Sequence, residues 1–218
     1  MVLVHLGFYV LLLFGGAGTI DWPRGWAFLA LYAIQMLLGD LWLAKVDPDL
    51  VAERRRPGRD TSPPAWDRQF LIASALIGPS WILFMALDAG RFGWSQLPLA
   101  AAIAGGALML LGTWIAYAGL RANHFASIIV RLQPDRGHHV VDQGPYARVR
   151  HPIYAGAFLT AIGAPLVLGS AWGLLGSVVL IALTSRRAIL EERFLIDQLP
   201  GYRDYATRIR WRIVPGLF

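Results

Sequence analysis

The sequence predicts an all-α fold, a polytopic transmembrane helix bundle of about six membrane segments. Of the 218 residues, 56% are hydrophobic and 16% are charged, whereas soluble domains have roughly 45–50% and about 25%. Long apolar runs alternate with polar connections, and the basic residues collect on every second connection. These observations exclude an ordinary soluble domain and favour helices that cross a bilayer.

The apolar segments follow one another along the chain. Each of the first four has about the 20 residues that a helix needs to cross the hydrocarbon core. The first is expected to be a retained span rather than a signal peptide, because no lysine or arginine precedes it. The fifth apolar stretch is too long for one crossing, and small residues at 169–173 interrupt it, so we expect a tight hairpin of two short spans. The predicted spans are 1–20, 22–44, 70–87, 97–120, 153–168 and 174–184.

The lysine and arginine residues predict the orientation of these spans. Eighteen of the 20 lie on the connections 45–68 and 121–150 and in the tail after residue 185, whereas Arg24 and Arg91 lie on the opposite side. Because cytoplasmic connections carry the excess of basic residues, both termini and the polar connections are predicted to be cytoplasmic, at the inner membrane if the source is a bacterium. The net charge of +6 is therefore assigned to topology and anionic lipid headgroups, and no nucleic acid partner is expected.

The connection 46–67 contains four prolines and the run Arg54-Arg55-Arg56. Such a charged run is typical of a solvated loop that faces lipid headgroups. A substrate gate is the sharper alternative for the same segment. The tail 194–211 mixes apolar and aromatic residues with arginines, which predicts an amphipathic helix on the membrane surface with a break at Pro200-Gly201.

Residues able to carry chemistry concentrate in two polar segments. Four of the five histidines lie within 121–154, but no H-E-x-x-H pattern occurs and the chain has no cysteine, so no metal site and no cysteine nucleophile are predicted. In the second segment, 186–193, Arg187 and Glu191 are one helical turn apart. Anchoring of a helix end at the membrane interface is an alternative explanation for those charges.

Two motifs in these segments resemble the isoprenylcysteine carboxyl methyltransferase family and the wider superfamily of membrane methyltransferases. The stretch 137–154, GHHVVDQGPYARVRHPIY, is similar to the family signature G-H-x-(L/V)-V-x-x-G-P-Y-x-x-x-R-H-P-x-Y. Arg187, Glu191, Glu192 and Leu195 match the second element, R-x-x-x-E-E-x-x-L. The resemblance divides the chain into a four-helix N-terminal region, 1–120, and a C-terminal methyltransferase core, 121–218.

The resemblance implies a methyltransferase that binds S-adenosyl-L-methionine in a cytoplasmic pocket and accepts a lipophilic or prenylated substrate from the bilayer, in contact with membrane lipids. Arg187 and Glu192 are the catalytic candidates, with Arg187 pairing the acceptor. The implied cofactor-binding residues come from the two motifs and are His138, Val140, Val141, Gly144, Tyr146, Arg150, His151, Pro152, Tyr154, Glu191 and Glu192.

The acceptor is a separate question. A prenylcysteine-like carboxylate is expected first, because a carboxylate is already ionised at pH 7 and the sequence offers no decisive general base. S-methylation of a small thiol or N-methylation of a phospholipid amine is the alternative within the family. From a different class, an NADPH-dependent membrane reductase of the sterol type also stays open.

Overall fold

The structure is a computed structural model that describes residues 2–55 and 63–218. Within these residues all regular secondary structure is helical, and one isolated parallel bridge pairs Val149 with Trp211. The predicted all-α class is confirmed. The helices are α1 (Val2–Val10, extended by a π-helical segment, Leu11–Gly15), α2 (Pro23–Val46), α3 (Pro48–Arg55), α4 (Ala65–Met85, extended by a π-helical segment, Ala86–Phe92), α5 (Leu99–Ala122), α6 (Pro152–Leu168), α7 (Gly173–Gln198) and α8 (Tyr202–Arg208).

Proline marks the start of several of these helices. Pro23, Pro48 and Pro152 each occupy the first helical position, where the missing N–H costs nothing and the fixed φ angle suits the helix. Asp47 also caps α3, because its Oδ1 accepts a hydrogen bond from the Leu50 N–H at 2.9 Å. The polar connection that was expected to be a loop therefore begins with a short helix. Its residues 56–62 lie outside the described residues.

Four helices in the described part of the chain are long and apolar enough to cross a membrane: α2, α4 with its extension, α5 and α7. The remaining apolar helices, Val4–Gly15 and Pro152–Leu168, are shorter. The exact number of crossings therefore stays a prediction. Large apolar side chains such as Leu38, Leu76 and Ile103 are more than 60% exposed on the outside of the bundle, which is typical of surfaces that face lipid.

Helices α5 and α6 pack closely through glycines at heptad spacing. Gly105 and Gly112 of α5 face Gly163 and Gly156 of α6, and a Cβ atom added at Gly112 would lie 2.5 Å from the Gly156 carbonyl oxygen. No side chain fits between the two backbones at these points. The small residues thus bring together helices of the N-terminal and C-terminal regions.

The predicted hairpin is present, and its second helix extends beyond the predicted span 174–184. Helix α6 ends at Leu168 and is followed by Gly169, whose φ of +85° is favoured by glycine, and α7 begins at Gly173. Instead of ending near residue 184, α7 continues without interruption for 26 residues, or about 39 Å. The second motif is therefore carried on the same rigid helix as the last apolar segment.

The predicted break in the tail is confirmed, because α7 ends at Gln198 and α8 starts after Gly201, whose φ is +82°. The aromatic side of α8 is buried within the protein. Tyr202 and Tyr205 are 5% and 1% exposed and pack with Leu199 against the loop that precedes α6. The tail thus uses its apolar face to close the end of the bundle.

Candidate active site

A polar pocket of about 320 Å³ lies at the end of the bundle where α4 and α6 begin. The irregular segment 123–151, the end of α3 and the last turns of α7 surround it. The volume is within the usual range for small-molecule sites. The 123–151 segment contains two short 3₁₀ turns, Pro134–Arg136 and Gly144–Ala147, and Gly144 adopts a φ of +58° at the start of the second.

The pocket gathers most of the residues that the two motifs predict. Three predicted residues, Gly144, Pro152 and Glu192, are not in its lining: Gly144 forms the turn just described, and Pro152 is the first residue of α6. Nine predicted residues line it, namely His138, Val140, Val141, Tyr146, Arg150, His151, Tyr154, Arg187 and Glu191.

Glu192 lies behind the pocket wall, at the centre of a buried ionic cluster. It is 3% exposed and accepts hydrogen bonds from Arg150 at 2.6 and 3.1 Å and from Arg212 at 2.7 Å. His151 Nε2 lies 3.2 Å from the same carboxylate. Its oxygens are thus already engaged by groups of the protein, and the cofactor contact expected from the motif stays a prediction.

The same cluster attaches the C-terminal tail to the first motif. Arg150 N–H and His151 N–H donate to the carbonyl oxygens of Trp211 at 3.0 Å and Arg212 at 2.7 Å. The Arg150 Nη1 also donates to the Ile209 carbonyl at 2.5 Å. All three guanidinium nitrogens of Arg150 therefore have partners within the protein.

Glu191 differs from its neighbour because it lines the pocket. Its Oε2 accepts a hydrogen bond from the Tyr154 hydroxyl at 2.6 Å, and the Tyr154 ring stacks on His151 at a centroid distance of 5.2 Å. A carboxylate beside aromatic rings suits a ligand cation, since both attract positive charge.

Arg187 is held by a residue that sequence reasoning missed. Asp67, fully buried in the first turn of α4, accepts a hydrogen bond from Arg187 Nε at 2.8 Å and another from the Val130 N–H at 2.7 Å. Arg187 Nη2 donates to the Ile128 carbonyl at 2.7 Å, and its guanidinium lies 4.4 Å from the centre of the Phe70 ring. The only sequence signal for Asp67 is its position just before a predicted span.

His138 is held in its neutral form. Burial, together with the positive charges of nearby His139, Arg131 and Arg136, lowers the pKa of the His138 imidazole to about 4. Its Nδ1 accepts a hydrogen bond from the Gln133 N–H at 3.3 Å, so the ring proton belongs on Nε2. His138 can therefore offer a neutral N–H donor to the pocket at pH 7.

The end of α3 also contributes to the pocket, which the interpretation of 46–67 as a headgroup-facing loop did not include. Arg54 lines the pocket and donates through Nη1 to the Ala126 carbonyl at 2.9 Å. The adjacent Glu53 pairs with Arg131 at 2.9 Å and accepts from Ser127 at 3.2 Å. These contacts attach α3 to the segment that covers the pocket.

A second, apolar cavity of about 410 Å³ lies among the helices below the polar pocket. Residues from α1, α2, α4, α5, α6 and α7 line it, among them Tyr32, Trp81, Met109 and Tyr117. Ile153, at the start of α6, lines both cavities. The polar pocket and the apolar cavity are therefore neighbours.

The fold and the site together define a helical membrane protein with a polar pocket at one end of its bundle. Residues 100–200 match the family model described as phospholipid methyltransferase. The chain is also similar to Protein-S-isoprenylcysteine O-methyltransferase of Schizosaccharomyces pombe, with 35% identity over 92 residues, which cover 41% of this chain and 39% of the relative. The enzyme of the same name from Saccharomyces cerevisiae is 30% identical over 129 residues, or 58% of this chain and 54% of the relative.

These similarities confirm the resemblance indicated by the two motifs. The matched region includes both motifs, and the chain aligns with about two fifths to one half of the length of these relatives. All three matches carry methyltransferase names. They lend no support to the alternative of a nicotinamide-dependent reductase.

Proposed function

We propose that this chain is an integral-membrane methyltransferase that uses S-adenosylmethionine to methylate the carboxylate of a lipophilic, prenylcysteine-like acceptor. The observation that carries this proposal is the adjacency of the two cavities at Ile153. A polar pocket lined by motif residues suits a charged cofactor, whereas an apolar cavity within the bundle suits a hydrocarbon chain. The names of the two yeast relatives support the same acceptor class.

The residues of the polar pocket fit S-adenosylmethionine, which has a sulfonium, an ammonium and a carboxylate group. Glu191 and the ring of Tyr154 would hold a cationic group. The Nε2 of neutral His138 would donate to a polar group of the cofactor, and Val140 and Val141 would pack beside it. Glu192 would act indirectly, by fixing Arg150 and His151 in the wall.

The chemistry that the bound cofactor supplies is an activated methyl group, which passes to an acceptor oxygen as the carbon–sulfur bond breaks and its electron pair stays on sulfur. The protein would orient the acceptor in line with that bond, which is the main contribution expected for a displacement of this kind. A carboxylate acceptor loses no proton, so no general base is required. Arg187, held in place by Asp67, would form part of the wall near the acceptor.

The orientation follows from the distribution of basic residues. We propose that the polar pocket and both termini face the cytoplasm, because the pocket contains four of the arginines assigned to that side. Arg24, at the opposite end of the bundle, donates to the Leu97 carbonyl at 2.5 Å. The acceptor would reach the apolar cavity from the bilayer.

Calorimetric titration of the detergent-purified protein tests the cofactor assignment. We expect S-adenosylmethionine and S-adenosylhomocysteine to bind and NADPH not to bind. The Glu191→Gln variant should bind S-adenosylmethionine at least tenfold more weakly, because it removes the carboxylate that pairs the ligand cation. Asp197→Asn, an exposed change of the same type on α7, should bind as wild type does. Binding of NADPH alone would overturn the proposal.

A further inference from the structure

We infer that Arg54, at the end of α3, binds the anionic end of the acceptor and selects acidic acceptors over neutral or cationic ones. This inference rests on the proposed function and names a binding group for its substrate. Residue 54 lies outside the region matched by the family model, which begins at residue 100. Nothing in the motifs points to it.

The first argument is the charge balance of the pocket. Four arginines line it, and three of them are engaged by carboxylates of the protein. The pairs are Arg131 with Glu53 at 2.9 Å, Arg150 with Glu192 at 2.6 Å and Arg187 with Asp67 at 2.8 Å. Each of these three cations is thus already neutralised by a partner at hydrogen-bonding distance.

Arg54 is the fourth, and its Nη1 donates to the Ala126 carbonyl oxygen at 2.9 Å. Among residues 2–55 and 63–218, no carboxylate lies within ion-pairing distance of it. Burial lowers the pKa of the Arg54 guanidinium, and the Asp40 carboxylate, which lies beyond ion-pairing distance, opposes this shift only in part. A partly buried cation without a counter-ion is costly, and an anionic ligand would relieve that cost.

The second argument is the position of Arg54 relative to the apolar cavity. Tyr117 lines that cavity and packs in the same apolar cluster as Leu50 and Val51 of α3, the helix that carries Arg54. Ile153 lines both cavities. A prenylcysteine-like molecule carries its carboxylate at the polar end of an apolar chain. With the chain in the apolar cavity, the carboxylate would lie at this junction, within the reach of a guanidinium that can bind it through two hydrogen bonds.

Competition binding tests the inference independently of methyl transfer. N-acetyl-S-farnesylcysteine and its neutral carboxamide would each displace a radiolabelled farnesylcysteine probe from the detergent-solubilised full chain. We expect wild type to prefer the acid by about tenfold and Arg54→Gln to lose this preference while binding the amide as before. Arg54→Lys should keep part of it. Arg55→Gln, the exposed neighbour, should behave as wild type.

Titration with S-adenosylmethionine separates the possible failures. We expect Arg54→Gln to bind S-adenosylmethionine with unchanged affinity. A tenfold loss of that affinity, together with an intact preference for the acid, would assign Arg54 to the cofactor carboxylate and overturn the inference. An Arg54→Gln variant that prefers the acid as wild type does would also overturn it. If Arg54→Gln does not fold, the same comparison of acid and amide binding is made between Arg54→Lys and wild type. Absence of cofactor binding in wild type would instead contradict the proposed function.

Discussion

The adjacent motif residues Glu191 and Glu192 have different surroundings. Glu191 faces the pocket and pairs with a tyrosine hydroxyl, whereas Glu192 is enclosed by Arg150, His151 and Arg212. Neighbouring positions on a helix point about 100° apart, so one carboxylate faces the pocket and the other faces the tail. The motif predicts that both are important, but only the fold shows that Glu191 lines the pocket and that Glu192 lies behind its wall.

The titration of His138 gives a prediction at the residue scale. Its pKa is lowered to about 4 in the folded protein, against an ordinary value of about 6.5 in the unfolded chain. Between these two values, protons bind the unfolded state preferentially, so stability should fall as the pH falls from 6.5 to 4. In His138→Asn, whose Oδ1 can still accept the Gln133 N–H, the melting temperature in detergent should fall less over this range than in wild type.

Carboxylates that titrate in the same range contribute to both proteins, so the difference between the two melting curves is the informative quantity. Equal losses of melting temperature in wild type and His138→Asn would contradict the assigned state of His138.

At the element scale, the contact between α5 and α6 supports the start of α6, where the motif residues His151 and Tyr154 lie. This contact depends on glycines that no other residue can replace without moving a backbone. Gly112 lies against the Gly156 carbonyl, whereas Gly106, on another face of α5, has only Leu31 at 3.8 Å from an added Cβ. The two positions therefore form a matched pair on one helix.

We predict that Gly112→Ala destabilises the protein by about 1–3 kcal/mol, because the added methyl group forces the helices apart. Gly106→Ala should be neutral or slightly stabilising, since alanine is the better helix former. Unfolding by titration with a denaturing detergent, followed by circular dichroism, measures both changes. Similar effects of the two substitutions would show that the α5–α6 packing is not as close as described.

Hydropathy and turn residues were sufficient to predict the helical class, the hairpin and the break before α8. They placed the last span and the helix of the second motif next to each other, but could not predict that both belong to one uninterrupted helix of 26 residues. The pairing of Asp67 with Arg187 joins residues 120 positions apart, and the attachment of the tail to Arg150 likewise depends on tertiary contacts. A local sequence pattern contains no signal for such pairs. The run Arg54-Arg55-Arg56 predicts a headgroup-facing loop or a substrate gate, but contains no signal that Arg54 lines the polar pocket.

At the scale of the whole molecule, the bundle brings together two environments that differ in polarity. Lipid-facing helices enclose an apolar cavity, and the loops and the tail enclose a polar pocket at one end. Residues 1–120 do not form either cavity alone: α1, α2, α4 and α5 supply half of the residues that line the apolar cavity, and the C-terminal residues supply most of those that line the polar pocket. The arrangement fits a reaction between a water-soluble methyl donor and a membrane-bound acceptor.

The central claim is that this pocket methylates a lipophilic carboxylate. The most direct measurement incubates the purified full-length chain, in lipid nanodiscs, with methyl-labelled S-adenosylmethionine and either N-acetyl-S-farnesylcysteine, phosphatidylethanolamine or an aliphatic thiol. The account predicts label on the farnesylcysteine, released by mild base as methanol because the product is a methyl ester. Label that enters the amine or the thiol and not the carboxylate would contradict it.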